Sequence, residues 1–460
     1  MNNMKKNMTI YLTIILTAMI FLNSTANAQS KKSDKINKSK VEFSKVKEFA
    51  SGDSLQLIEI FKDIHQNPEL GFSEIRTSAI IAKKLQALGY KVITGIGKTG
   101  VAGILQNGDG PIVMYRTDMD ALPIKETTGL PYASSVIAKK ADNTLVPVMH
   151  ACGHDAHITW MLGIAKIMVL MKSSWKGTIV FVAQPAEEIL LGADAMVKDK
   201  MYEKGIPLPD FALAMHTTPL PVGKIKNCPG IIMAGSDQFD VTFHGIGGHG
   251  SAPHLAKDPV IMAATAVLDY QSIVNRSVSS QSPHVITVGA VEAGTANNII
   301  PASATLKVNL RWFTDADRTK MLEGINRVDS SIAFANNVPA ELYPTILMKG
   351  TVYPVKNDTN MMKKINAVFV SILRPEDIIT KGLPIMGSED FPMLIINSKN
   401  NPVYDYMFLG VANQKLYNEA QKEGKEFPFY NHNPNFEVDL SAIPFGTVIG
   451  TMALLELFKK

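Results

Sequence analysis

The sequence contains little cysteine: Cys152 and Cys228 are the only two in 460 residues. Small scaffolds held by disulfides need many more, whereas 46% hydrophobic residues are enough for a sizeable core. Cys228 lies in a Pro-Gly turn (NCPGII) and Cys152 in a histidine cluster (MHACGHDAHI, 149–158), which does not favour a disulfide between them. The open question is whether Cys152 is a redox thiol, a nucleophile, a core residue or a metal ligand.

The sequence also lacks a strong net charge and internal repeats. It has 46 Lys and Arg against 42 Asp and Glu, a formal net charge of +4. Proteins that bind nucleic acid or anionic membrane surfaces through charge carry a larger excess of one sign. We therefore expect no nucleic-acid partner.

One long apolar run is present, at the N-terminus. Lys5 and Lys6 precede the apolar residues 10–22, and Ala26-Asn27-Ala28 has the small-x-small form of a signal-peptidase site. A membrane span needs about 20 apolar residues, so a secretory signal peptide over 1–28 is favoured over a retained anchor. We expect an exported protein, periplasmic or secreted, with a flexible Lys/Ser-rich leader over 29–45 and no stable membrane association after cleavage.

The rest of the chain alternates buried-type strands with helices, which predicts an α/β fold. Three apolar strands end in polar residues: PIVMYRTDMD (111–120), GTIVFVAQPAEE (177–188) and DFALAMH (210–216). Chemistry in such sheets gathers beyond the carboxyl ends of strands. Residues 232–350 differ: their alternating strands and helices, in the order β-α-β-β-α, predict a small α+β domain inserted into the first. The remaining fold then comprises 46–231 and 351–460.

The polar clusters suggest a metal site. The candidate ligands are Cys152, His154, Glu187, Glu188, His216 and His432. Thiolate, imidazole and carboxylate groups suit Zn²⁺, Mn²⁺, Co²⁺ or Ni²⁺ rather than Ca²⁺. They are too many for one tetrahedral ion, and a bridging group could hold two. Taken singly, each histidine could equally be a core residue and the glutamate pair could be solvated.

Nine stretches in order make the sequence resemble the M20 metallopeptidase family, in the amidohydrolase branch that includes N-acyl-amino-acid and indole-acetyl-amino-acid hydrolases. The stretches are HQNPELGFSE (65–74), YRTDMDALPIKE (115–126), MHACGHDAH (149–157), QPAEE (184–188), MHTTPLPVG (215–223), GIGGHGSAPH (245–254), NNIIPASA (297–304), GSEDF (387–391) and HNPNFEVD (432–439). The resemblance implies a mixed-sheet catalytic domain with an inserted lid and dimerisation domain.

The resemblance also implies roles for the candidate ligands. Cys152 would bridge two divalent metal ions, and the other ligands would be His154, Glu188, His216 and His432. Glu187 would be the general base that takes a proton from the attacking water and returns it to the leaving amine. On this interpretation Cys152 is neither a nucleophile nor a redox thiol.

In the lid, His249 matches a histidine offered to the partner subunit's active site, where it stabilises the oxyanion. Asn298 and Arg311 match residues that bind the substrate, at its carboxylate. The pattern around Arg311 (VNLRWF) is loose, and an exposed strand residue is the alternative. A homodimer through the lid follows from the resemblance.

Neighbouring residues have less certain roles. Asp120 is interpreted as a residue that orients a ligand, with a structural role as the alternative, and Asp118 stands where other branches place a metal ligand. His157 and His65 are expected to be structural. Ser388, Glu389 and Asp390 are expected to line the site or hold a ligand in place.

The predicted function is an exported dinuclear amidohydrolase that cleaves N-acyl amino acids or related small conjugates. A metallo-carboxypeptidase or dipeptidase on the same machinery is an alternative. A non-catalytic protein that binds peptides or acyl amino acids, and a thiol enzyme that uses Cys152 with a histidine base, are the others.

Overall fold

The computed structural model describes residues 40–396 and 402–459. The predicted signal peptide and residues 29–39 of the predicted leader lie outside these ranges. The helices are α1 (40–66), α2 (Ile75–Ala87), α3 (His154–Leu170), α4 (Gly192–Lys198), α5 (Pro259–Ser272), α6 (Asp315–Ala335), α7 (Thr359–Ile372), α8 (Gln414–Lys422) and α9 (Ala442–Leu457). None of the helices described combines the length and apolar character that a membrane span requires.

The first strands are β1 (Lys91–Ile96), β2 (Gly100–Asn107), β3 (Ile112–Asp118), β4 (Ile137–Lys139), β5 (Leu145–Pro147), β6 (Gly177–Gln184), β7 (Phe211–Pro221), β8 (Ile225–Lys226) and β9 (Gly230–Met233). The later ones are β10 (Gly235–His244), β11 (Gly248–His249), β12 (Val285–Ala293), β13 (Ile299–Ile300), β14 (Ser303–Trp312), β15 (Thr345–Val352), β16 (Val355–Asn357), β17 (Ile378–Ile379) and β18 (Val403–Ala412).

Helix α1 begins earlier than the sequence suggested. Residues 40–45, which the prediction assigned to the flexible leader, are already helical. Glu42 is buried and pairs with Lys459 at 2.9 Å, and Val46 and Ala50 begin the apolar face that packs on the core. The leader prediction is therefore wrong for these six residues. Their Lys-rich composition masked the start of an amphipathic helix.

The main sheet is mixed, as predicted. Its strand order is β1-β2-β6-β3-β7-β18-β8-β17, and the central strands β6, β3, β7 and β18 are parallel. One apolar core packs α1, α2, α3, α7 and α9 on one face, and a second core with α4 covers the other. The parallel strands bring their carboxyl ends to one edge, and there the polar clusters meet.

A second, antiparallel sheet of order β12-β14-β10-β15 is formed by residues between 235 and 352. Helices α5 and α6 pack on one of its faces around a core of its own that includes Phe239, Tyr270 and Trp312. Strand β15 was not predicted from the sequence. The adjacent Leu347 and Met348 are both exposed beside a bulge in its pairing with β10, which breaks the period of two.

The two sheets have separate cores. The division into a catalytic part (46–231 and 351–460) and an inserted lid (232–350) is consistent with that separation. Its exact boundaries stay a prediction.

Candidate metal centre

Five predicted ligands come from distant parts of the chain to one place. Cys152 lies in the loop before α3 and His154 begins that helix. Glu188 follows β6, His216 lies in β7, and His432 lies in the loop before α9. The structure brings all five side chains together, as the following distances show.

The loop before α3 places Cys152. Gly153 has φ 83°, and a Cβ there would come within 2.6 Å of the Thr217 side chain, so only glycine fits. The Thr217 hydroxyl donates to the carbonyl of Cys152 at 2.6 Å. The Sγ of Cys152 then lies 3.5 Å from Nε2 of His216. Strand β7 thus holds the cysteine loop and supplies the nearest ligand.

The tautomers of two histidines are set by backbone carbonyls. Nδ1 of His154 donates to the carbonyl of Asp120 at 2.8 Å, and Nδ1 of His216 donates to the carbonyl of Thr217 at 2.7 Å. In the neutral form of each ring, Nε2 then carries no hydrogen and is able to bind a metal ion.

Glu188 lies between two histidines. Its Oε1 is 3.7 Å from Nε2 of His154, and its Oε2 is 3.3 Å from Nε2 of His432. His154 Nε2 and Glu188 Oε1 are buried and have no hydrogen-bond partner among the described residues. Buried polar atoms without partners are rare and costly, so a bound cation fits this position.

The electrostatics of the cluster also favour a bound cation. Cys152, His154 and Glu188 each offer an atom, and these three atoms lie within 4.8 Å of one another. Burial, and then the charge of Glu188, hold the pKa of the Cys152 thiol well above its ordinary range. A thiol nucleophile needs the opposite shift, so the thiol-enzyme alternative is disfavoured. A bound divalent cation would instead hold the thiolate form.

His157 is structural, as expected. Its Nε2 accepts the backbone N–H of Thr217 at 2.8 Å, and its Nδ1 donates to Oδ1 of Asp118 at 2.6 Å. Both ring nitrogens are hydrogen-bonded, which favours a structural role. His157 also belongs to a group with Asp118, His154 and His216 whose ligand atoms lie within 4.8 Å of one another. Asp118 in turn accepts from Arg116 at 2.8 Å, and its Oδ2 is 3.7 Å from Nε2 of His154. Asp118 is thus fixed by its neighbours next to the predicted ligands.

Asp120 holds the turn that carries both glutamates. Its Oδ1 accepts the backbone N–H of Glu187 and its Oδ2 that of Glu188, each at 3.0 Å. Together with its carbonyl bond to His154, these contacts give Asp120 the orienting role that the sequence analysis favoured.

Glu187 is buried beside the ligands. Its Oε2 lies 4.0 Å from Nε2 of His154. Burial, and after it the charges of Glu389 and Glu188, hold the pKa of Glu187 well above its ordinary range. A carboxyl group with a raised pKa takes up a proton more readily than an ordinary one, as a general base requires.

A buried arginine, which the sequence analysis did not single out, lies under the site. Arg116 donates to Glu389 at 2.8 and 3.0 Å, to Asp118 at 2.8 Å and to Gln184 at 3.0 Å. Tyr406 donates to Glu389 at 2.7 Å. A charged residue inside the apolar strand VMYRTD was the available signal for Arg116, whereas nothing in the sequence marks Tyr406.

His65 is structural, as expected. Its Nδ1 lies 2.6 Å from Asp155 and its Nε2 3.1 Å from Glu126. Burial acts to lower the pKa of His65, but these carboxylates outweigh it and raise the pKa to about 9. The resulting buried ion pairs join the end of α1 to the start of α3.

Arg311 reaches the site from the second sheet. Arg311 is half-buried. It donates from Nε to Asn309 at 2.9 Å and from Nη1 to the hydroxyl of Ser388 at 2.5 Å. Burial lowers the pKa of Arg311, and the charge of Glu187 acts to raise it. These contacts do not fit the alternative of a plain exposed strand residue.

His249 and Asn298 are exposed and adjacent, because β11 pairs with β13 and Gly250 donates to the carbonyl of Asn298 at 2.8 Å. Nδ1 of His249 accepts from the backbone and hydroxyl of Ser251, which leaves Nε2 free. Within the described residues, no hydrogen bond or ion pair joins His249 or Asn298 to the five predicted ligands. Their roles stay predictions.

The model of the peptidase family M20/M25/M40 matches residues 114–451. The chain belongs to this family. It is a metal-dependent hydrolase of amide bonds in the amidohydrolase branch, which confirms the resemblance seen in the motifs.

Two curated relatives and one solved structure illustrate this membership. Hippurate hydrolase of Campylobacter jejuni is 38% identical over 78% of this chain and 91% of its own length. IAA-amino acid hydrolase ILR1-like 2 of Arabidopsis thaliana is 31% identical over 90% and 89%. A dinuclear metal-binding M20 peptidase from Bacillus subtilis has a TM-score of 0.68 and 25% identity, covering 89% of this chain and 99% of its own. M20 family members bind metal in pairs, and the cluster described above is where this chain offers ligands.

Proposed function

We propose that the protein is an exported hydrolase that uses two metal ions to cleave the amide bond of N-acyl amino acids. The observation that carries the proposal is a pair of buried atoms with no hydrogen-bond partner among the described residues, His154 Nε2 and Glu188 Oε1, 3.7 Å apart beside Cys152 and Glu187. Cys152 would bridge the ions, and His154, Glu188, His216 and His432 would complete their coordination.

The chain's own groups supply the proton transfer and the alignment. Bound metal ions would polarise the scissile carbonyl and acidify the attacking water. Glu187 takes the proton of that water and delivers it to the leaving amine, since its burial keeps the protonated form accessible. Asp120 fixes Glu187 through the backbone, so the base does not have to be ordered during the reaction.

The substrate carries a free carboxylate. Arg311 presents a guanidinium group near Glu187, steadied by Asn309 and Ser388, and such a group binds carboxylates. Asn298 adds a second polar group from the lid. Hippurate hydrolase and IAA-amino acid hydrolase are named for acyl conjugates of amino acids, which supports an N-acyl amino acid as substrate. A carboxypeptidase or dipeptidase is the second candidate, because a peptide's terminal carboxylate would meet Arg311 equally well.

The metal would be Mn²⁺, Zn²⁺, Co²⁺ or Ni²⁺. A sulfur ligand, imidazoles and a carboxylate form a mixed donor set that each of these ions accepts. A bridging thiolate disfavours Ca²⁺ and Mg²⁺, which prefer oxygen ligands.

A homodimer through the lid would complete the site. Strand β12 is an edge of the second sheet and leaves Val291 exposed on the face that carries α5, and α5 exposes Ile261 and Leu268. A second copy could cover this apolar edge. His249 would then reach the partner's active site with its free Nε2.

Export rests on the N-terminal sequence alone. The basic, apolar and small-residue regions of residues 1–28 form a secretory signal, and the mature chain would begin at Gln29. Fractionation of cells that express the full chain, with N-terminal sequencing of the product, tests this: a cytoplasmic product that keeps Met1 would contradict export.

The function is tested with the mature chain stripped of metal and reloaded in parallel with Mn²⁺, Zn²⁺, Co²⁺ and Ni²⁺. Amine release is followed from N-acetyl, N-benzoyl and longer N-acyl amino acids beside dipeptides. We expect metal-dependent release from the N-acyl amino acids. Faster release from dipeptides would favour the second candidate, and release that persists without metal would refute the proposed site.

A further inference from the structure

The two glutamates of the site stand on a constrained turn. Ala186 and Leu190 have φ of 51° and 56°, a left-handed conformation that residues with side chains rarely adopt. The N–H groups of Leu191 and Gly192 close the turn on the carbonyl of Ala186 at 3.3 and 3.1 Å. Such a backbone persists only where the surrounding structure holds it.

Carboxylates from two other segments hold it. Three successive backbone N–H groups, those of residues 186 to 188, point to carboxylate oxygens. Ala186 donates to Oε1 of Glu74 at 2.8 Å, and the next two residues donate to Asp120 at 3.0 Å. Successive N–H groups of this kind form an anion-binding nest. Here the anions are the protein's own side chains.

Glu74 is built into this position. It is fully buried, and its Oε2 accepts the hydroxyl of Thr99 at 2.6 Å. The same segment lies against the turn, because a Cβ on Gly71 would meet Cα and Cβ of Ala186 at 3.1 Å. The carbonyl of Glu69 also accepts the N–H of Ala121, next to Asp120, at 2.8 Å.

We propose that Glu74 is a positioning residue of the metal centre: its carboxyl group holds the N–H of Ala186 and thereby places Glu187 and Glu188. The proposal rests on the proposed function of those two glutamates. It gives a role to the stretch HQNPELGFSE, to which that function assigns none.

Glu74 acts on the two glutamates through the backbone of the turn that carries them. If the N–H of Ala186 loses its acceptor, the left-handed residue can relax, and the two residues after it move together. One of them is a predicted metal ligand and the other the base, so metal affinity and turnover change as a pair. Small displacements of such groups have large effects on rate.

The test uses Glu74→Ala, Glu74→Asp, Glu74→Gln and, as a matched control, Thr99→Val. In Glu74→Gln the amide oxygen can still accept from Ala186 while the NH₂ group donates to Thr99. Glu74→Asp keeps the carboxyl group but falls one methylene short. Thr99→Val removes the other hydrogen bond of Glu74 and leaves Ala186 bonded.

Metal affinity is measured by competition with a chromophoric chelator, and kcat and KM are measured at saturating Mn²⁺. Loss of an outer-shell partner typically weakens metal binding or activity by about 10- to 100-fold. We expect that loss in Glu74→Ala and Glu74→Asp, with kcat falling more than KM changes. Glu74→Gln and Thr99→Val should stay within about threefold of wild type.

Three results would overturn the proposal: Glu74→Asp with wild-type metal affinity, Glu74→Gln as defective as Glu74→Asp, or Thr99→Val as defective as either. The affinity series needs no substrate. If wild-type protein hydrolyses no amide, the proposed function fails, while the affinities still decide the role of Glu74. Should Glu74→Ala fail to fold, Glu74→Asp and Glu74→Gln carry the comparison.

Discussion

Arg311 of the second sheet donates a hydrogen bond to the hydroxyl of Ser388 in the main fold, at 2.5 Å. Ser388 in turn donates to the carbonyl of Ala234, which lies between β9 and β10 where the chain enters the second sheet, at 2.8 Å. The residue that follows, Glu389, is bound by the buried Arg116. The arginine proposed to bind substrate is therefore tied to the floor of the metal site through one short segment.

Replacing Arg311 should weaken the binding of substrates that carry a free carboxylate. Hydrogen bonds to charged groups contribute about 1.5–3 kcal/mol, so Arg311→Ala should lower kcat/KM by about 10- to 100-fold, mainly through KM. The same acyl amino acids with a carboxamide end should lose far less. Lys307→Ala is the matched control, since Lys307 lies on the same face of β14 and pairs with the exposed Glu292. Equal losses for acid and carboxamide would contradict carboxylate recognition.

Glu187→Gln should abolish most of the turnover and leave metal binding intact. The amide keeps the shape of the side chain but cannot accept the proton, and loss of a general base costs about 10²- to 10⁴-fold in kcat. Rates and metal content are measured on one preparation. Glu203→Gln, an exposed acid paired only with Lys200, should behave as wild type. A near-normal kcat in Glu187→Gln would show that another residue is the general base.

The two cysteines provide a direct comparison for the metal site. Cys152→Ala should bind fewer than two ions per chain, because the proposed bridging ligand is gone, and its unfolding temperature should respond less to added metal. Cys228→Ala should bind two, since Cys228 lies against Ile379 and away from the cluster. The number of ions bound per chain is measured for both variants by mass spectrometry. Equal occupancy in both variants would exclude the bridge.

The site was predictable from sequence to the extent that local pattern encodes it. Asp118, Glu187 and His216 follow near-continuous apolar runs, so the sequence could place them at one sheet edge. The predicted end of the third strand was wrong, because β7 continues through His216 to Pro221. The interpretation of Asp120 as an orienting residue followed from its position after such a strand, and its contacts agree with that interpretation.

What the sequence did not predict depends on long-range contacts or on broken periodicity. Arg116 and Glu389 are 273 positions apart, so their ion pair is a property of the folded sheet and leaves no local pattern. Strand β15 escaped because a bulge interrupts its alternation. The start of α1 escaped because Glu42 and its partner Lys459 lie at opposite ends of the chain.

Acidity should stabilise the second sheet through Asp329. Burial raises the pKa of this carboxyl group to about 7, although Tyr270 donates a hydrogen bond to it. Its pKa in the unfolded chain is about 3.9, so the folded state binds the proton more tightly and stability falls as pH rises from about 4 to about 7. The full effect is at most about 4 kcal/mol.

Asp329→Asn should therefore remove part of this pH dependence and protect α5 and α6 at pH 8 relative to wild type. Hydrogen exchange of peptides from residues 259–335 at pH 5 and pH 8, corrected for the intrinsic rate, measures this locally. Asp269→Asn, on the exposed face of α5, is the control. If protection at pH 8 is the same in Asp329→Asn and wild type, the buried carboxylate of Asp329 does not destabilise the folded state.

The dimer proposal has a test that does not depend on finding the interface. If His249 serves the partner's site, a heterodimer of His249→Ala and Glu187→Gln chains has one site with both defects and one with neither. Equal amounts of the two inactive variants, mixed under conditions that allow subunit exchange, should then recover about a quarter of wild-type activity. Adding Leu268→Glu, which puts a charge on the exposed apolar face of α5, should block the recovery and give monomers by light scattering. No recovery, despite proven exchange, would place His249 in the active site of its own chain or outside the reaction.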